Sequence, residues 1–206
     1  MIPSRRSSVR DMFALFYFCA RFNQDISAWD TSKVARMQAM FSGCEAFEGT
    51  GIGAWDISSN TSMAAMFFNC HAFDTDISAW DTSKVSNMSA CFFDCFAFNA
   101  DISAWDTSLV KSMPSLFRSC RTFDRDLSDW DTSAVVDMRN MFHGCSEFNT
   151  DLRSWDLSSV RKKSQILHGA TSFDFEHHLP RALEGWDEVG LVAREYESEL
   201  SDEDSE

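Results

Sequence analysis

The chain has 206 residues, of which 18 are Lys or Arg and 32 are Asp or Glu, giving a formal net charge of −14 at pH 7. Nine acidic residues and one Arg fall within residues 187–206, so this segment carries −8 and the rest of the chain −6. Nucleic acid and anionic membranes require a Lys/Arg-rich face, so neither is expected as a partner of this mildly acidic body. No run of about 20 apolar residues occurs, which predicts no transmembrane segment.

A 25-residue period organises most of the sequence. Six Trp-Asp pairs recur 26, 25, 25, 25 and 25 residues apart, at Trp29, Trp55, Trp80, Trp105, Trp130 and Trp155. A unit of this length is too small to bury its own apolar face, so neighbouring units must stack and share a core. The period predicts a right-handed repeat solenoid of about seven coils.

The first repeat is partial. Apolar residues at 9–22 have the same spacing as those at 34–47 in the next repeat. Arginines at positions 5, 6 and 10 before the apolar run imitate the start of a signal peptide, but the repeat accounts for the same residues. We therefore predict a repeat array over residues 1–173, without a convincing export signal.

The repeat reads Val-x-x-Met-x-x-Met-Phe-x-x-Cys-x-x-Phe-Asn/Asp-x-Asp-Ile-Ser-x-Trp-Asp-Thr-Ser-x. Apolar steps of 3, 1 and 3 residues from the first Met to Cys predict a short helical segment, either a short helix or a 3₁₀ turn. Pro114, directly after Met113, suits the first turn of such a helix. The Asp-Ile-Ser-x-Trp run predicts a short strand, parallel to its equivalents, and Asp-Thr-Ser predicts a turn.

Stacking turns each repeat position into a column. The final Phe column has no exception, at Phe22, Phe47, Phe73, Phe98, Phe123, Phe148 and Phe173. Six of the seven cysteines also share one column, at Cys19, Cys44, Cys70, Cys95, Cys120 and Cys145. The odd count and the lack of paired spacing predict buried thiols rather than disulfides or a zinc site.

Residues 22–34, Phe-Asn-Gln-Asp-Ile-Ser-Ala-Trp-Asp-Thr-Ser-Lys-Val, and the Met-Phe-x-x-Cys-x-x-Phe pattern closely resemble the repeat of BspA-like leucine-rich-repeat surface proteins of many microbes. The resemblance covers residues 7–173. It implies a leucine-rich-repeat-like solenoid at the cell surface or outside the cell, engaged in adhesion or protein contacts. The cytoplasm stays an alternative because no export signal is evident. The family has no catalytic residues to carry over.

Aspartates form two further columns, one before Ile or Leu and one after Trp: Asp25, Asp76, Asp101, Asp126 and Asp151, and Asp30, Asp56, Asp81, Asp106, Asp131 and Asp156. Calcium between stacked carboxylates is one interpretation. Hydrogen bonds to hydroxyls and amides of the same turn are the other, and we favour it. The Thr and Ser residues after Trp-Asp form a hydroxyl ladder that could match a repetitive ligand, although turn formation also explains them.

The repeat pattern fails after Phe173. Lys163 replaces a core Met, and Ala170 replaces Cys. A terminal cap of this kind keeps the last coil of a solenoid soluble. We predict a capping segment at residues 174–197, helical in part, and a disordered acidic tail at residues 198–206.

The positions before each Cys depart most from the repeat. Tyr17, Phe68 and Phe93, together with nearby Phe96, lie outside the repeating core columns. We interpret these four residues as a candidate partner-binding stripe, with packing under a neighbouring loop as the alternative. His143 and His168 share a column, but two histidines without a third ligand are weak evidence for a metal.

Catalysis requires chemically different groups that converge in a pocket, whereas repetition places the same groups on every coil. The sequence therefore predicts a non-catalytic binding or adhesion protein without a cofactor, presenting a surface to a protein or glycan. One alternative is a calcium-stabilised surface-coat module. Another is a polysaccharide-active enzyme, which needs a carboxylate pair roughly 5–10 Å apart. The sequence does not identify the partner or the oligomeric state.

Overall fold

A computed structural model describes residues 8–183 of the chain. Within this range, regular helix is confined to two short 3₁₀ helices, Ile52–Ala54 and Arg181–Leu183, and no extended strand is present. The rest consists of turns, irregular segments and single parallel β-bridges between neighbouring repeats. None of these residues belongs to a helix long and apolar enough to cross a membrane.

Neighbouring repeats are joined by backbone hydrogen bonds along the Met-to-Cys segment. In one interface the amides of Met88, Ala90, Phe92 and Asp94 donate to the carbonyls of Ser112, Pro114, Leu116 and Arg118, over 2.8–3.0 Å. Equivalent sets of four bonds join the other repeats, except that three join the second repeat to the third. Each repeat therefore lies in register on the next, with every second amide directed at its neighbour.

The predicted helical segment is replaced by consecutive turns. The amides of Leu116, Arg118 and Cys120 each donate to the carbonyl three residues earlier, over 2.9–3.3 Å. Ser115 and Ser119 have positive φ values of 56° and 63°, and the equivalent positions of the other repeats also have positive φ. A left-handed residue breaks a right-handed helix, so the chain turns repeatedly and leaves alternate amides free for the next repeat.

The structure also explains Pro114 without a helix. The equivalent residue of the previous repeat is Ser89. Its amide donates to the side chain of Asn87 in the same repeat, over 2.9 Å, and not to a neighbouring repeat. Proline has no amide hydrogen, so it fits at this position, where the amide does not form a hydrogen bond to a neighbouring repeat.

The predicted strand is likewise a turn. The amide of Trp80 donates to the carbonyl of Ile77 over 3.2 Å. The carboxylate of Asp76 accepts hydrogen bonds from the amide and the hydroxyl of Ser78, over 3.0 and 2.7 Å. Such local side-chain bonds compete with strand pairing. Parallel bridges form instead two residues after the Val column, for example between Asn87 and Ser112.

Several repeated polar groups connect one repeat to the next. Trp105 donates its indole N–H to the carbonyl of Ile77 over 3.1 Å, and the Cys120 thiol donates to the carbonyl of Phe92 over 2.9 Å. The Thr107 hydroxyl donates to the carbonyl of Asp131 over 3.0 Å. Because this Thr and its equivalents are buried, they do not form the exposed hydroxyl ladder considered above.

Stacked phenylalanine rings form the centre of the core. The ring of Phe92 lies 5.7 Å from Phe67 and 5.8 Å from Phe117, with interplanar angles of 4° and 1°. Within its own repeat it lies 4.0 Å from Phe98. Offset stacking of this kind adds to the stabilisation from apolar burial. The periodic aromatic residues thus form a core that continues from repeat to repeat.

The two ends of the stack differ. Val9 and Leu15 of the first repeat are 44% and 50% exposed, whereas their equivalents Val34 and Met40 are fully buried. At the other end, Phe173 and Leu183 are buried, and the carbonyl of residue 178 accepts a hydrogen bond from the Leu152 amide over 3.1 Å. Residues 174–183 therefore lie against the last repeats. The rest of the predicted cap, 184–197, and the predicted disordered tail, 198–206, lie outside the described residues.

Gly53 lies in the insert that lengthens one repeat to 26 residues. A Cβ atom there would clash with the backbone oxygen of Asp76, which cannot rotate away. We expect Gly53→Ala to lower the free energy of unfolding by about 2–3 kcal/mol in urea titrations. The control is Gly144→Ala, where φ is 74° but the nearest atom would be 3.6 Å away, so only the left-handed backbone costs about 1 kcal/mol. Equal losses in the two variants would contradict this explanation.

Candidate partner-binding site

Two columns of variable side chains flank the buried cysteines. The first surface column lies two residues before each Cys and contains Tyr17, Ser42, Phe68, Phe93, Arg118, His143 and His168. The second surface column lies one residue after each Cys and contains Ala20, Glu45, His71, Phe96, Arg121, Ser146 and Thr171. From the second repeat onward the Cys side chains are buried, so the two columns run side by side along the outside of the stack.

The first surface column contains a stack of two aromatic rings and a guanidinium group. The Phe68 and Phe93 ring centroids are 4.6 Å apart with an interplanar angle of 19°. The guanidinium carbon of Arg118 lies 5.3 Å from the Phe93 centroid. Both rings are half-buried. They are therefore packed against column neighbours and still in contact with solvent.

The second surface column repeats this arrangement over the same three repeats. The rings of His71 and Phe96 are 4.5 Å apart, and the guanidinium carbon of Arg121 lies 4.7 Å from the Phe96 centroid. We call the two triplets together the aromatic face: Phe68, Phe93 and Arg118 with His71, Phe96 and Arg121. The arginines of the two triplets, Arg118 and Arg121, belong to the same repeat, the fifth.

A groove opens where the first surface column is interrupted. Ser42 is small, and the gap between Tyr17 and Phe68 has a volume of about 530 Å³. We call this gap the aromatic groove, and its lining comprises Phe13, Ala14, Tyr17, Phe18, Ala39, Ser42, Ala65 and Phe68. Three of the aromatic residues that line it come from the first repeat, Phe13, Tyr17 and Phe18, and they are 54%, 55% and 62% exposed. The groove has a size in the range of ligand-binding clefts.

The structure connects the four residues predicted from the sequence. Tyr17 and Phe68 lie on opposite sides of the aromatic groove, and Phe93 stacks on Phe68. Phe96 lies beside them in the second surface column. Sequence reasoning did not select Phe13, Phe18 or the two arginines. The arginines occupy the same variable columns as the selected residues, and that column position was the available signal.

Within residues 8–183, the arginines of the aromatic face form no ion pair, since no carboxylate lies within 4.0 Å of the side-chain nitrogens of Arg118 or Arg121. Burial lowers the pKa of His143, and the positive charge of Arg118 lowers it further. Asp94 lies between Phe93 and Phe96 in the chain, so this face carries a carboxylate beside its two arginines.

His143 and His168 continue the first surface column beyond Arg118. Their ring centroids are 4.6 Å apart, and the Nδ1 atom of each is buried without a hydrogen-bond partner. In the described part of the chain, no cluster of three or more His, Cys, Asp or Glu side chains could hold a metal ion. The pair thus lacks the third ligand that a protein metal site ordinarily needs.

The repeated aspartates form hydrogen bonds within their own turns. The Oδ1 atom of Asp81 accepts hydrogen bonds from the amide and the hydroxyl of Ser83, over 3.0 and 2.6 Å. These bonds lower the pKa of Asp81, the hydroxyl contributing more than the amide. Equivalent bonds form at Asp30, Asp106 and Asp131. This arrangement accounts for the column by turn chemistry.

A larger cavity of about 860 Å³ lies near the C-terminal end of the stack and is lined by polar and charged residues. Arg153 contacts Asp151 over 2.6 Å, and His177 contacts Asp174 over 2.9 Å. The hydrogen bond from Arg153 lowers the pKa of Asp151 to about 2. The other ionic residues of the lining, Asp156, Glu176 and Arg181, form no ion pair within residues 8–183. The aromatic face gathers more of the side chains that depart from the repeat, so it is the stronger candidate site.

A family model matches the chain twice, over residues 4–99 and 61–180, and the two matches together span the array and both surface columns. The chain belongs to the family described as Mycoplasma protein of unknown function, DUF285. Overlapping matches to one DUF285 model are expected of an array whose repeats can align in more than one register. No curated protein and no solved structure matches the chain. The DUF285 description assigns no activity, so function has to be argued from the site.

Proposed function

We propose that this chain is a non-catalytic binding protein whose aromatic groove and aromatic face bind a protein partner. The observation that carries this proposal is the aromatic groove itself, which Phe13, Tyr17, Phe18 and Phe68 line from positions outside the repeating core columns. Exposed aromatic clusters are characteristic of interaction sites, and aromatic residues dominate the energetics of protein interfaces.

A protein is a better match than a glycan for this surface. In each triplet of the aromatic face, the rings and the guanidinium group stack on one another, so column neighbours cover both flat faces of Phe93 and of Phe96. Phe68 keeps one face at the aromatic groove. Ring edges remain exposed, and edges pack well against the aliphatic and aromatic side chains of a protein. A sugar that stacks on open ring faces therefore finds few such faces on the aromatic face.

We further propose that the stack is a right-handed, leucine-rich-repeat-like solenoid of the BspA-like type, displayed at the cell surface. In-register hydrogen bonds between successive repeats and the resemblance of residues 22–34 support this classification. The calcium-stabilised coat module has less support, because the aspartate carboxylates already accept hydrogen bonds from their own turns. A polysaccharide-active enzyme requires a carboxylate pair in a cleft. The cavity of about 860 Å³ is lined by Asp151, Asp156 and Glu176, but Asp151 is already bound to Arg153, so this alternative has less support than the binding protein.

Ser42→Phe tests the proposed function by filling the aromatic groove. A Phe at this position would continue the column between Tyr17 and Phe68, as Phe68 and Phe93 already do. Ser42 itself is buried, so the cost of packing a larger side chain opposes the gain of about 0.5–1.5 kcal/mol from an added aromatic pair. We expect a stability within about 1 kcal/mol of the wild type. Binding of peptides selected from a displayed random library on the immobilised wild-type protein should be lost. Fluorescence polarisation with the synthesised peptides measures this loss.

The control for Ser42→Phe is Ala104→Phe, which adds the same side chain at an exposed position near the Trp column. This variant should bind the selected peptides as tightly as the wild type. If Ser42→Phe folds normally and retains wild-type affinity, the aromatic groove is not the binding site.

A further inference from the structure

Arg118 and Arg121 differ from three other arginines of the stack. Arg36, Arg139 and Arg153 each form an ion pair with an aspartate, at 2.6–2.8 Å. Arg118 and Arg121 lie over the rings of Phe93 and Phe96 without an ion pair to any residue of 8–183. Arg36 also lies over a ring, that of Phe13, but its guanidinium group is already bound to Asp11. Five further arginines of residues 8–183 form no ion pair within this range, so what distinguishes Arg118 and Arg121 is ring stacking without a carboxylate partner.

Stacking on a ring leaves a guanidinium group ready to bind an anion. The N–H donors lie in the plane of the group, so a ring below that plane holds the side chain without occupying the donors. The order imposed by stacking also reduces the entropy lost when a ligand binds. Each arginine thus offers a pre-oriented fork that matches a carboxylate.

The aromatic rings of the face strengthen the preference for an anion. An aromatic ring carries its negative potential on the faces and its positive potential at the edges. The faces of Phe93 and Phe96 are covered by their column neighbours on both sides, so solvent meets mainly their edges. Phe68 is covered on one side by Phe93 and lines the aromatic groove on the other. Ring edges and the two guanidinium groups together form a strip on the outside of the stack, with the arginines at one end and Asp94 between Phe93 and Phe96.

We propose that an acidic protein segment binds along this strip, with an Asp or Glu carboxylate at Arg118 and Arg121 and an apolar side chain in the aromatic groove. This inference rests on the proposed function and names the chemistry of its partner. The floor of the groove, Ser42, lies three repeats before Arg118. Repeats joined by backbone hydrogen bonds are about 4.8 Å apart, so the separation is about 14 Å, which an extended chain covers in about four residues. The partner segment therefore carries an apolar residue and, about four positions before or after it, an Asp or Glu.

The test uses the full chain and a displayed library of random twelve-residue peptides. Selected peptides should be enriched in Asp or Glu about four positions from Leu, Phe or Trp. Synthetic peptides that carry this motif should bind R118Q/R121Q about tenfold or more weakly than wild type, since hydrogen bonds to charged groups are the stronger ones. Replacing Glu by Gln in the peptide should weaken binding to wild type but change little for R118Q/R121Q.

The matched control is R161Q, which removes a charge from an exposed arginine in another column and should leave affinity unchanged. Thermal melting confirms that each variant is folded. One outcome would overturn the carboxylate proposal but leave the proposed function intact. In that outcome, the selected peptides lack an acidic residue, bind Ser42→Phe more weakly than wild type, and bind R118Q/R121Q as tightly as wild type. An absence of selected peptides, or selected peptides indifferent to Ser42→Phe, overturns both. Binding of uronic-acid oligosaccharides in place of acidic peptides also overturns the inference.

Discussion

Phe98→Ala is expected to lower the free energy of unfolding by about 3–5 kcal/mol. Phe98 is fully buried, and its ring centroid lies 4.0 Å from Phe92, 5.9 Å from Phe73 and 5.8 Å from Phe123. The neighbouring rings are stacked on further rings, so they cannot collapse into the cavity without losing their own contacts. Because each repeat contacts only its neighbours, this cavity interrupts the core in the middle of the array.

Phe22→Ala is the matched control for Phe98→Ala. It removes the same side chain from the same column in the first repeat, where Phe22 is only partly buried. Urea titrations should show a clearly smaller loss for Phe22→Ala, since less buried surface is removed. Equal losses at the two positions would show that the central core is no better packed than the open end.

In the folded protein, Cys19 alone of the seven cysteines is expected to react with iodoacetamide at pH 8. Cys19 is exposed and the other six thiols are buried. Burial raises the pKa of Cys44 to about 12, and it also raises the pKa of Cys95 and Cys120. The thiolate is the reactive form, so these groups are protected both from the reagent and from ionisation. Their labelling should be slower than that of Cys19 by about 10³ or more, since it requires local opening.

Intact-mass spectrometry checks this expectation. The native protein should gain one adduct, and the protein unfolded in guanidinium chloride should gain seven. Cys19→Ser should gain none in the native state. Two or more rapid adducts on the native wild type would show that the cysteine column opens far more readily than its packing indicates.

The core could be predicted from the sequence because each core position meets its own equivalent in the next repeat. A column such as Phe73, Phe98 and Phe123 is informative for this reason, since a buried ring accepts few substitutes when the neighbouring repeats present the same ring. Burial of the thiols from Cys44 to Cys145 follows from the same periodicity and is confirmed. Cys19 is the exception because the open first repeat leaves it exposed.

The local backbone conformation was predicted less well. Apolar steps of 3, 1 and 3 residues fit one side of a helix, but they also fit consecutive turns that point the same side chains inward. Gly43, Asn69 and Asp94, in the column directly before Cys, were the available signal, because these residue types tolerate the left-handed conformation seen there. In the Asp-Ile-Ser segment, hydrogen bonds from Ser to Asp outweigh the β-propensity of Ile.

The candidate site was predictable where the sequence departs from its own repeat. Tyr17, Phe68, Phe93 and Phe96 stand out as unrepeated aromatic residues. The arginine pair was harder to recognise, because its contacts with the rings of the preceding repeat appear only when residues 25 apart are placed in contact. The groove depends on the small side chain of Ser42, and a small residue in a variable column gives no signal of its own.

The direction of the hydrogen bonds between repeats gives the stack an electrical polarity. In the Met-to-Cys segment, amides such as those of Ala90 and Phe92 donate toward the C-terminal end, while the carbonyls they meet point toward the N-terminal end. Fewer bonds run the other way: between the third and fourth repeats, the amides of Ser86 and Ala97 donate back to Thr61 and His71, against four amides that donate forward. Peptide dipoles of about 3.5 D each therefore cancel only in part and leave a net dipole along the axis. Its sign is opposite to that of an α-helix, with the negative pole at the first repeat.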